Sequence, residues 1–303
     1  IMAKKRLKRI FGNEASTHSV INGFHFISIG CTRGCLFDKP QRDFLRKSLC
    51  EAAADDPKKP IFVFQHPHIQ DTVYGSIAWG DDGLTDILIS YPQVIDFSGH
   101  SHAPINDPRS IHQRHFTCLG TGSLSYFELD EFDKSEGTVP SDGRECAQML
   151  IVEADACGNV RVYPYDLITM NFFPYTWKID TPWNPDSFLY TDERYLNAPV
   201  PFFEEGSVLT ATVGENSVSL TFPQAKSSEK YINSYDIVIK DPGGIIRRKF
   251  NLFNKYYLYN MPDVLTAEIK DLPGGSYYAE VYATGFFKTK SKKPLVCEMF
   301  MIK

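Results

Sequence analysis

Two pairs of histidines in this chain are spaced as metal ligands often are. His66 and His68 form the first pair, His100 and His102 form the second, and each pair comes directly after a short apolar run. A buried strand that ends in a tight turn can direct imidazoles toward one point, and neutral imidazoles are common ligands of divalent metals. The pattern predicts a metal site where two neighbouring strands end, and the alternative is histidines that are hydrogen-bonded within a core.

The residues around these histidines resemble a known family. A Gln-His-Pro-His segment followed by Gly-His-Ser-His resembles the C-terminal half of the calcineurin-like metallophosphoesterases. The resemblance implies an α/β fold, the C-terminal part of a four-layer α/β/β/α sandwich, with two divalent metal ions (Mn, Fe or Zn) at the sheet edge. It also implies that His66 and His100 ligate the second metal, that His102 ligates the first, and that His68 lies near the substrate as a catalytic residue.

Three of the five ligand blocks of that family have no counterpart before His66. They supply an Asp-x-His, a bridging Asp and a Gly-Asn-His, and the nearest candidate, Asn13, follows Gly12 but is not followed by His. A start inside a longer protein would explain this, since the basic segment 4–9 resembles the helix that follows the third block. We therefore expect the 303-residue chain to bind metal weakly and to be catalytically deficient, because no imidazole replaces a bridging carboxylate.

Three further side chains in neighbouring loops could contact a phosphoester substrate. Tyr74 and Trp79 could stack on it, and packing within their own loop is the alternative. Arg109 could bind a phosphate in bidentate geometry, and a surface ion pair is the alternative. A phosphoester is the small-molecule partner that the resemblance to the metallophosphoesterases implies.

The composition is that of a globular protein. Hydrophobic residues make up 43% of the chain, aromatic residues make up 14%, and the formal net charge is -5, which does not favour duplex nucleic acid or anionic membranes as partners. No apolar run reaches the roughly 18 residues that a transmembrane helix requires. The seven cysteines lack zinc-knuckle spacing, so free thiols are expected, with a Cys31–Cys35 disulfide as the alternative in an oxidising compartment.

The order of the predicted elements indicates an α/β first domain. Apolar runs at 61–64 and 94–97 indicate buried strands, a helical spacing of apolar residues indicates a helix between Pro40 and Asp55, and a hairpin is expected within 149–163. A proline-rich segment with two tryptophans follows and predicts a linker that packs. The expected boundaries are 1–168 for the phosphoesterase-like domain, 169–200 for the linker and 201–303 for a second domain.

The pattern after residue 200 is typical of an all-β domain. Short alternating segments are separated by turn signals, two of which are the Pro-Gly-Gly sequences at 242–244 and 273–275. The stretch from Leu272 onward resembles the E–F corner and the F strand of a fibronectin type III domain. That resemblance implies a β-sandwich in which Tyr277 is the corner tyrosine. The inward face of the F strand would carry Ala279, Val281 and Ala283.

Two functions are compatible with these features. The first is metal-dependent hydrolysis of a phosphomonoester or phosphodiester by a dinuclear site, with a fibronectin-like module appended. The second is a non-catalytic binding or scaffold protein, in which a degenerate phosphoesterase layer supports a β-sandwich that binds a surface glycan or a protein. The appended sandwich favours an extracellular or cell-surface location. Ligand blocks upstream of Ile1 in the parent gene would favour the enzyme.

Overall fold

The chain divides into two compact units, residues 1–193 and 194–303. The computed structural model describes residues 2–12, 14–32, 34–129, 138–140 and 142–303. Asn13, the candidate for a metal-ligand asparagine, lies outside the described residues. The first unit extends beyond the predicted boundary at 168 and takes in most of the segment that was expected to be a linker.

A mixed sheet of six strands forms the centre of the first unit. The strands of this part are β1 (Thr17–Ile21), β2 (Phe24–Ser28), β3 (Ile61–Phe64), β4 (His68–Ile69), β5 (Gly80–Asp81), β6 (Val94–Ser98), β7 (Ile111–Gln113) and β8 (Thr117–Gly120). The order across the sheet is β1-β2-β3-β6-β8-β7, while β4 and β5 pair separately. Neighbours among β2, β3, β6 and β8 are parallel, so these strands end at one edge of the sheet.

Helical segments accompany this sheet, and one of them covers a face of it. They are α1 (Met2–Phe11), α2 (Lys39–Asp55), α3 (Ser76–Trp79), α4 (Thr85–Leu88) and the 3-10 turns Pro108–Ser110 and Pro185–Ser187. The predicted helix is confirmed as α2, in which Leu45, Leu49 and Ala52 lie at helical spacing and pack in one core with Val63 of β3. Within the described residues no helix is long and apolar enough to cross a membrane.

A second sheet packs on the opposite face of the first. Its strands are β9 (Gln148–Ala154), β10 (Val160–Asp166), β11 (Asn171–Phe172) and β12 (Trp177–Ile179). The predicted hairpin is confirmed as β9 and β10, and β11 and β12 pair with the other edge of β10. Phe62 and Ile95 of the first sheet share one core with Val162 and Trp177 of the second. Trp177 therefore belongs to this core, which is why the predicted linker is part of the first unit.

The second unit is a β-sandwich. After α5 (Glu193–Leu196) come β13 (Thr210–Val213), β14 (Ser217–Pro223), β15 (Ser234–Lys240), β16 (Ile246–Phe253), β17 (Val264–Lys270), β18 (Gly275–Thr284), β19 (Leu295–Val296) and β20 (Phe300–Ile302). One sheet has the order β13-β14-β17, and in the other β18 pairs with β15, β19 and β20, with β16 beyond β15. The Tyr277 hydroxyl donates to the carbonyl oxygen of Pro273 at 3.0 Å, as a corner tyrosine would. Ala279, Val281 and Ala283 are buried as predicted.

Residues 194–303 expressed alone are expected to unfold cooperatively. The reason is that Val218, Leu220, Ile237 and Val281 belong to a core formed within this unit. Far-UV circular dichroism during heating measures the transition, and a Val281→Asp control should abolish it by burying a charge. A gradual melt of the unsubstituted fragment, without a transition, would contradict an independent second unit.

Candidate functional site

The candidate site lies where the adjacent parallel strands β3 and β6 end. Phe64 is in register with Phe97, so both chains leave the sheet at the same level. Beyond the strands, the Gln65 amide donates to the carbonyl oxygen of Phe97 at 3.0 Å, and the Gly99 amide donates to that of His66 at 3.2 Å. These bonds extend the pairing and bring the two histidine segments side by side.

The His66 and His100 imidazoles meet at this edge. Nε2 of His66 lies 2.6 Å from Nδ1 of His100, and the ring centroids are 4.5 Å apart in a T-shaped arrangement. Burial lowers the pKa of His100, and the neighbouring His66 and His102 lower it further. This contact is a hydrogen bond, so one of the two facing nitrogens carries a proton, and both can ligate a divalent cation only when that ring carries its proton on its other nitrogen. Two nitrogen ligands of one tetrahedral ion are about 3.3 Å apart. The rings would therefore separate slightly to admit an ion.

His102, the third predicted ligand, packs against a different side chain. Its ring centroid is 4.4 Å from that of Tyr126, and its backbone has a positive φ of 53°. Nδ1 of His102 is buried and has no hydrogen-bond partner within the part of the chain that is described. Among the described residues, no group of three or more His, Cys, Asp or Glu side chains is arranged to hold a metal. The structure thus brings together two of the three predicted ligands.

The prediction that His68 acts near the substrate requires correction, because His68 is buried. Its Nδ1 lies 2.8 Å from the Ser98 hydroxyl, and its Nε2 accepts from the Ser101 amide at 3.1 Å. This pattern fits a neutral ring that carries its proton on Nδ1. Burial lowers the pKa of His68 to about 3, with smaller contributions from His100 and His66. His68 therefore holds the segment that carries His100, and its ring is closed off from solvent.

Tyr74 and Arg109, predicted as substrate contacts, are also buried and contact each other. The Arg109 guanidinium lies 3.7 Å from the centroid of the Tyr74 ring and forms an ion pair of 2.6 Å with Asp107. The Arg109 Nε also donates to Asp107 at 2.8 Å. The fork of donors that would bind a phosphate is engaged inside the protein, so the prediction of a substrate-binding arginine is corrected to a structural one.

A glycine allows the Tyr74 loop to approach the second histidine pair. Gly75 has a φ of +83°, and a Cβ added there would lie 2.3 Å from the Cβ of Ser101. Both the left-handed backbone and the close contact exclude a side chain at this position. The Ser101 hydroxyl uses this proximity to donate to the carbonyl oxygen of Tyr74 at 3.1 Å.

Trp79 lies at the site, as the position of its loop suggested. Its ring centroid is 5.1 Å from that of His100, and its side chain is half-buried. The indole therefore forms part of the wall beside the two facing imidazoles. Stacking of Trp79 on a substrate stays a prediction.

Cys35 also reaches this edge, which the sequence analysis did not anticipate. Its Sγ lies 3.8 Å from Nδ1 and 3.9 Å from Nε2 of His100. Burial raises the pKa of the Cys35 thiol, and Cys31 and Asp81 raise it further. Cys31 and Cys35 are both free thiols. The available signal was that Cys35 follows β2, a third apolar strand beside β3, which places the loop after it at the same edge of the sheet.

No protein-family model and no curated protein matches the chain. Among solved structures, the spore cortex lytic enzyme SleM of Clostridium perfringens is 9% identical, with a TM-score of 0.24 over 88% of this chain and 76% of that chain. The β-glucosidase from Kluyveromyces marxianus in complex with glucose is 8% identical, with a TM-score of 0.26 over 88% of this chain and 34% of that chain. Scores this low show no shared fold, so these similarities indicate no function.

Proposed function

We propose that this chain supplies the imidazole ligands of a dinuclear metal site that hydrolyses a phosphomonoester or a phosphodiester. The observation that supports the proposal most directly is the 2.6 Å approach of Nε2 of His66 to Nδ1 of His100 at the ends of adjacent parallel strands. The resemblance of both histidine segments to the calcineurin-like metallophosphoesterases gives the same assignment. In this proposal the first unit is the C-terminal part of the four-layer sandwich, and the second unit is a fibronectin type III-like module.

The described side chains would hold and orient the ions. His66 and His100 would ligate one ion, and His102 would ligate the other. When bound, such a pair of ions would activate a water molecule and neutralise the phosphoryl oxygens. His68 would contribute by fixing the segment from Ser98 to Ser101, since its ring nitrogens lie 2.8 Å from both serine hydroxyl groups.

The described donor set fits a weak site for one ion better than a complete dinuclear site. Imidazoles carry no charge to offset two divalent ions, and the carboxylate ligands of the metallophosphoesterase family that the chain resembles have no counterpart before His66. We propose that a carboxylate-bearing segment outside residues 1–303 completes the site. Mn, Fe and Zn are all compatible with such a mixed ligand set.

Metal titration tests the His66–His100 pair. The 303-residue chain is expected to bind Co²⁺ or Zn²⁺ weakly, and His100→Ala should reduce the affinity at least about tenfold, since one of the two facing nitrogens is removed. Cobalt absorption and calorimetry measure this, and His115→Ala, which alters an exposed histidine, is the matched control. Equal affinity in the His100→Ala protein would contradict the ligand assignment.

Turnover tests the complete proposal. With added Mn²⁺, a longer protein that carries the carboxylate segment should hydrolyse a chromogenic phosphomonoester or phosphodiester orders of magnitude faster than the 303-residue chain, because it gains metal-based stabilisation of several kcal/mol. His100→Ala should abolish that gain. Comparable turnover by the short chain, lost on His100→Ala, would mean that it contains ligands we have not identified.

The alternative proposal is a non-catalytic binding or scaffold protein. The observation that favours it is the burial of His68, Tyr74 and Arg109, which leaves three of the predicted functional side chains inside the protein. In that case the β-sandwich would bind a surface glycan or a protein, and an extracellular or cell-surface location would follow. A longer protein without activity on any phosphoester would favour this alternative.

A further inference from the structure

Two histidines outside the candidate site face the helix α2. His18 lies in β1 and His25 in β2, where Val20 is in register with His25. Because side chains alternate between the two faces of a strand, His18 and His25 project from the same face of this hairpin. Ile27 lies on that face too and shares a core with Leu49 of α2. The two imidazoles are therefore directed at α2.

These imidazoles and two carboxylates of α2 form a continuous series of contacts, which we call the hairpin cluster. Oε2 of Glu51 lies 3.6 Å from Nδ1 of His18. Nε2 of His18 lies 2.8 Å from Nδ1 of His25, and Nε2 of His25 lies 3.2 Å from Oδ2 of Asp55. Glu51 and Asp55 are one helical turn apart in α2 and lie on one side of it. The hairpin cluster thus connects each strand of the hairpin to α2.

The hydrogen bonds determine where the ring protons lie. A carboxylate only accepts, so the contact with Asp55 places a proton on Nε2 of His25. Nδ1 of a neutral His25 then has a lone pair and accepts from Nε2 of His18. Nδ1 of a neutral His18 has no proton and faces the Glu51 carboxylate at 3.6 Å, which is longer than a hydrogen bond. The bond between the rings therefore requires that Nδ1 of His25 is unprotonated.

Added protons oppose this arrangement at both rings. A proton on Nδ1 of His25 removes the acceptor of the bond between the rings. A proton on Nδ1 of His18 places a cation on a side chain that is only 15% exposed. Burial lowers the pKa of His18, the neighbouring His25 lowers it further, and Glu51 raises it in part. His18 therefore takes up a proton more readily when β1 has moved away from α2.

Two lysines also contact these elements. Nζ of Lys47 in α2 lies 3.7 Å from Oε1 of Glu51. Nζ of Lys59, which follows α2, donates to the carbonyl oxygen of Gly23 in the hairpin turn at 3.3 Å. Lysine ammonium groups keep their charge between pH 5 and pH 8, whereas imidazoles titrate in this range. The two histidines are therefore the groups of the hairpin cluster that respond to mild acid.

We propose that the hairpin cluster is an acid-sensitive latch, which holds β1 against α2 at neutral pH and releases it in acid. β1 is the edge strand of the six-stranded sheet, and its last three residues are exposed. Release of this strand therefore leaves the core between α2 and the sheet in place. The latch shares no residue with the candidate site, so it does not depend on the proposed phosphoesterase activity.

The pH range of the release follows from His18. The ordinary pKa of histidine is about 6.5, and the pKa of His18 is lower than this while the latch is closed. Above about pH 7 His18 is neutral in both forms, and the contact is fully present. Below about pH 6.5 the open form binds more protons than the closed form, so opening becomes more favourable as the pH falls.

Hydrogen exchange on the 303-residue chain, corrected for the intrinsic effect of pH on exchange, measures the release. Protection of the β1 amides that pair with β2 should fall about tenfold between pH 7.5 and pH 5.0, within the limit of about thirtyfold that one histidine can give over this range. Protection in β3 and β6 should not fall, because the core stays folded. An equal fall in β3 and β6 would mean that acid unfolds the whole unit, and the latch proposal would be wrong.

Substitutions separate the histidines from other effects of acid. The double variant His18→Gln and His25→Gln keeps side chains that form hydrogen bonds but do not titrate, so its β1 protection should change less than about threefold over the same range. His115→Gln, at an exposed histidine, is the matched control and should retain the tenfold fall. Circular dichroism checks that both proteins fold. A tenfold fall in the double variant would overturn the proposal.

Titration of the His18 imidazole by NMR provides a test that does not require the double variant to fold. The pKa of His18 should lie below the ordinary value of about 6.5. Glu51→Gln should lower the pKa of His18 further, because it removes the carboxylate that offsets burial. A pKa of His18 at or above about 6.5 in the unsubstituted protein would contradict the proposal, since acid would then strengthen the contact.

Discussion

Replacing Asp96 by Asn should stabilise the first unit at pH 8 by about 3 kcal/mol more than at pH 5. Asp96 lies in β6, is fully buried, and receives one hydrogen bond, from the Gln65 side chain at 2.9 Å. Burial raises the pKa of Asp96 from 3.8 to about 7, and the Gln65 bond offsets this only in part. The folded protein therefore retains a proton on Asp96 between pH 4 and pH 7, whereas the unfolded chain has lost it.

The sign of the effect follows from this difference in bound protons. Stability from the neutral carboxyl is fully present below about pH 4 and is lost as the pH rises to about 7, at about 1.4 kcal/mol per unit. Asn does not ionise, so its advantage over Asp grows across that range. At pH 4 the substitution should be close to neutral or slightly destabilising. Oδ2 of Asp96 has no hydrogen-bond partner among the described residues, so the side-chain amide nitrogen of Asn would be buried there without an acceptor.

Urea unfolding followed by tryptophan fluorescence measures this prediction. All three tryptophans, Trp79, Trp177 and Trp183, precede residue 194, so the signal reports the first unit. Glu145→Gln, at an exposed carboxyl of the same unit, is the control and should show no comparable gain with pH. A gain for Asp96→Asn that does not depend on pH would mean that Asp96 does not retain its proton in the folded protein.

Replacing Arg109 by Ala should cost about 3–5 kcal/mol of unfolding free energy. The substitution leaves the carboxylate of Asp107 without the guanidinium, and the Asp107 side chain is completely buried. It also removes the cation that lies 3.7 Å from the ring of Tyr74. This expectation follows from the corrected position of Arg109, since a surface arginine that binds substrate would be replaced at little cost in stability.

Two controls separate the buried charge from other effects. The double substitution Arg109→Met and Asp107→Asn removes both charges. The Asn side-chain oxygen can still accept the hydrogen bond from the backbone amide of residue 109. The double variant should therefore lose less stability than Arg109→Ala alone. Arg161→Ala breaks an ion pair of 2.6 Å with Asp180 that is partly exposed to solvent, and it should cost less than about 1 kcal/mol. Unchanged stability of Arg109→Ala, together with weaker phosphoester binding, would restore the predicted substrate role.

The sequence alone located the region where the site lies. The apolar runs of β3 and β6 each lead directly into a histidine, and parallel strands of an α/β sheet end at a common edge, so His66 and His100 could be predicted to meet. The all-β character of the last hundred residues was equally accessible, because alternating apolar residues and Pro-Gly-Gly turns are local signals. The bond from Tyr277 to Pro273 spans four residues and is local in the same sense.

Tertiary structure decided which of the neighbouring polar side chains face outward. His68 is buried by Ser98 and Ser101, which lie about thirty residues away in the sequence, and Arg109 is closed off by Asp107 and by the ring of Tyr74. The same applies to Cys35, which lies 65 residues from His100 in sequence. Burial depends on which distant segments pack together, and the spacing of residues along the chain does not determine that packing. The sequence therefore determined where the strands end, and packing determined which side chains remain available there.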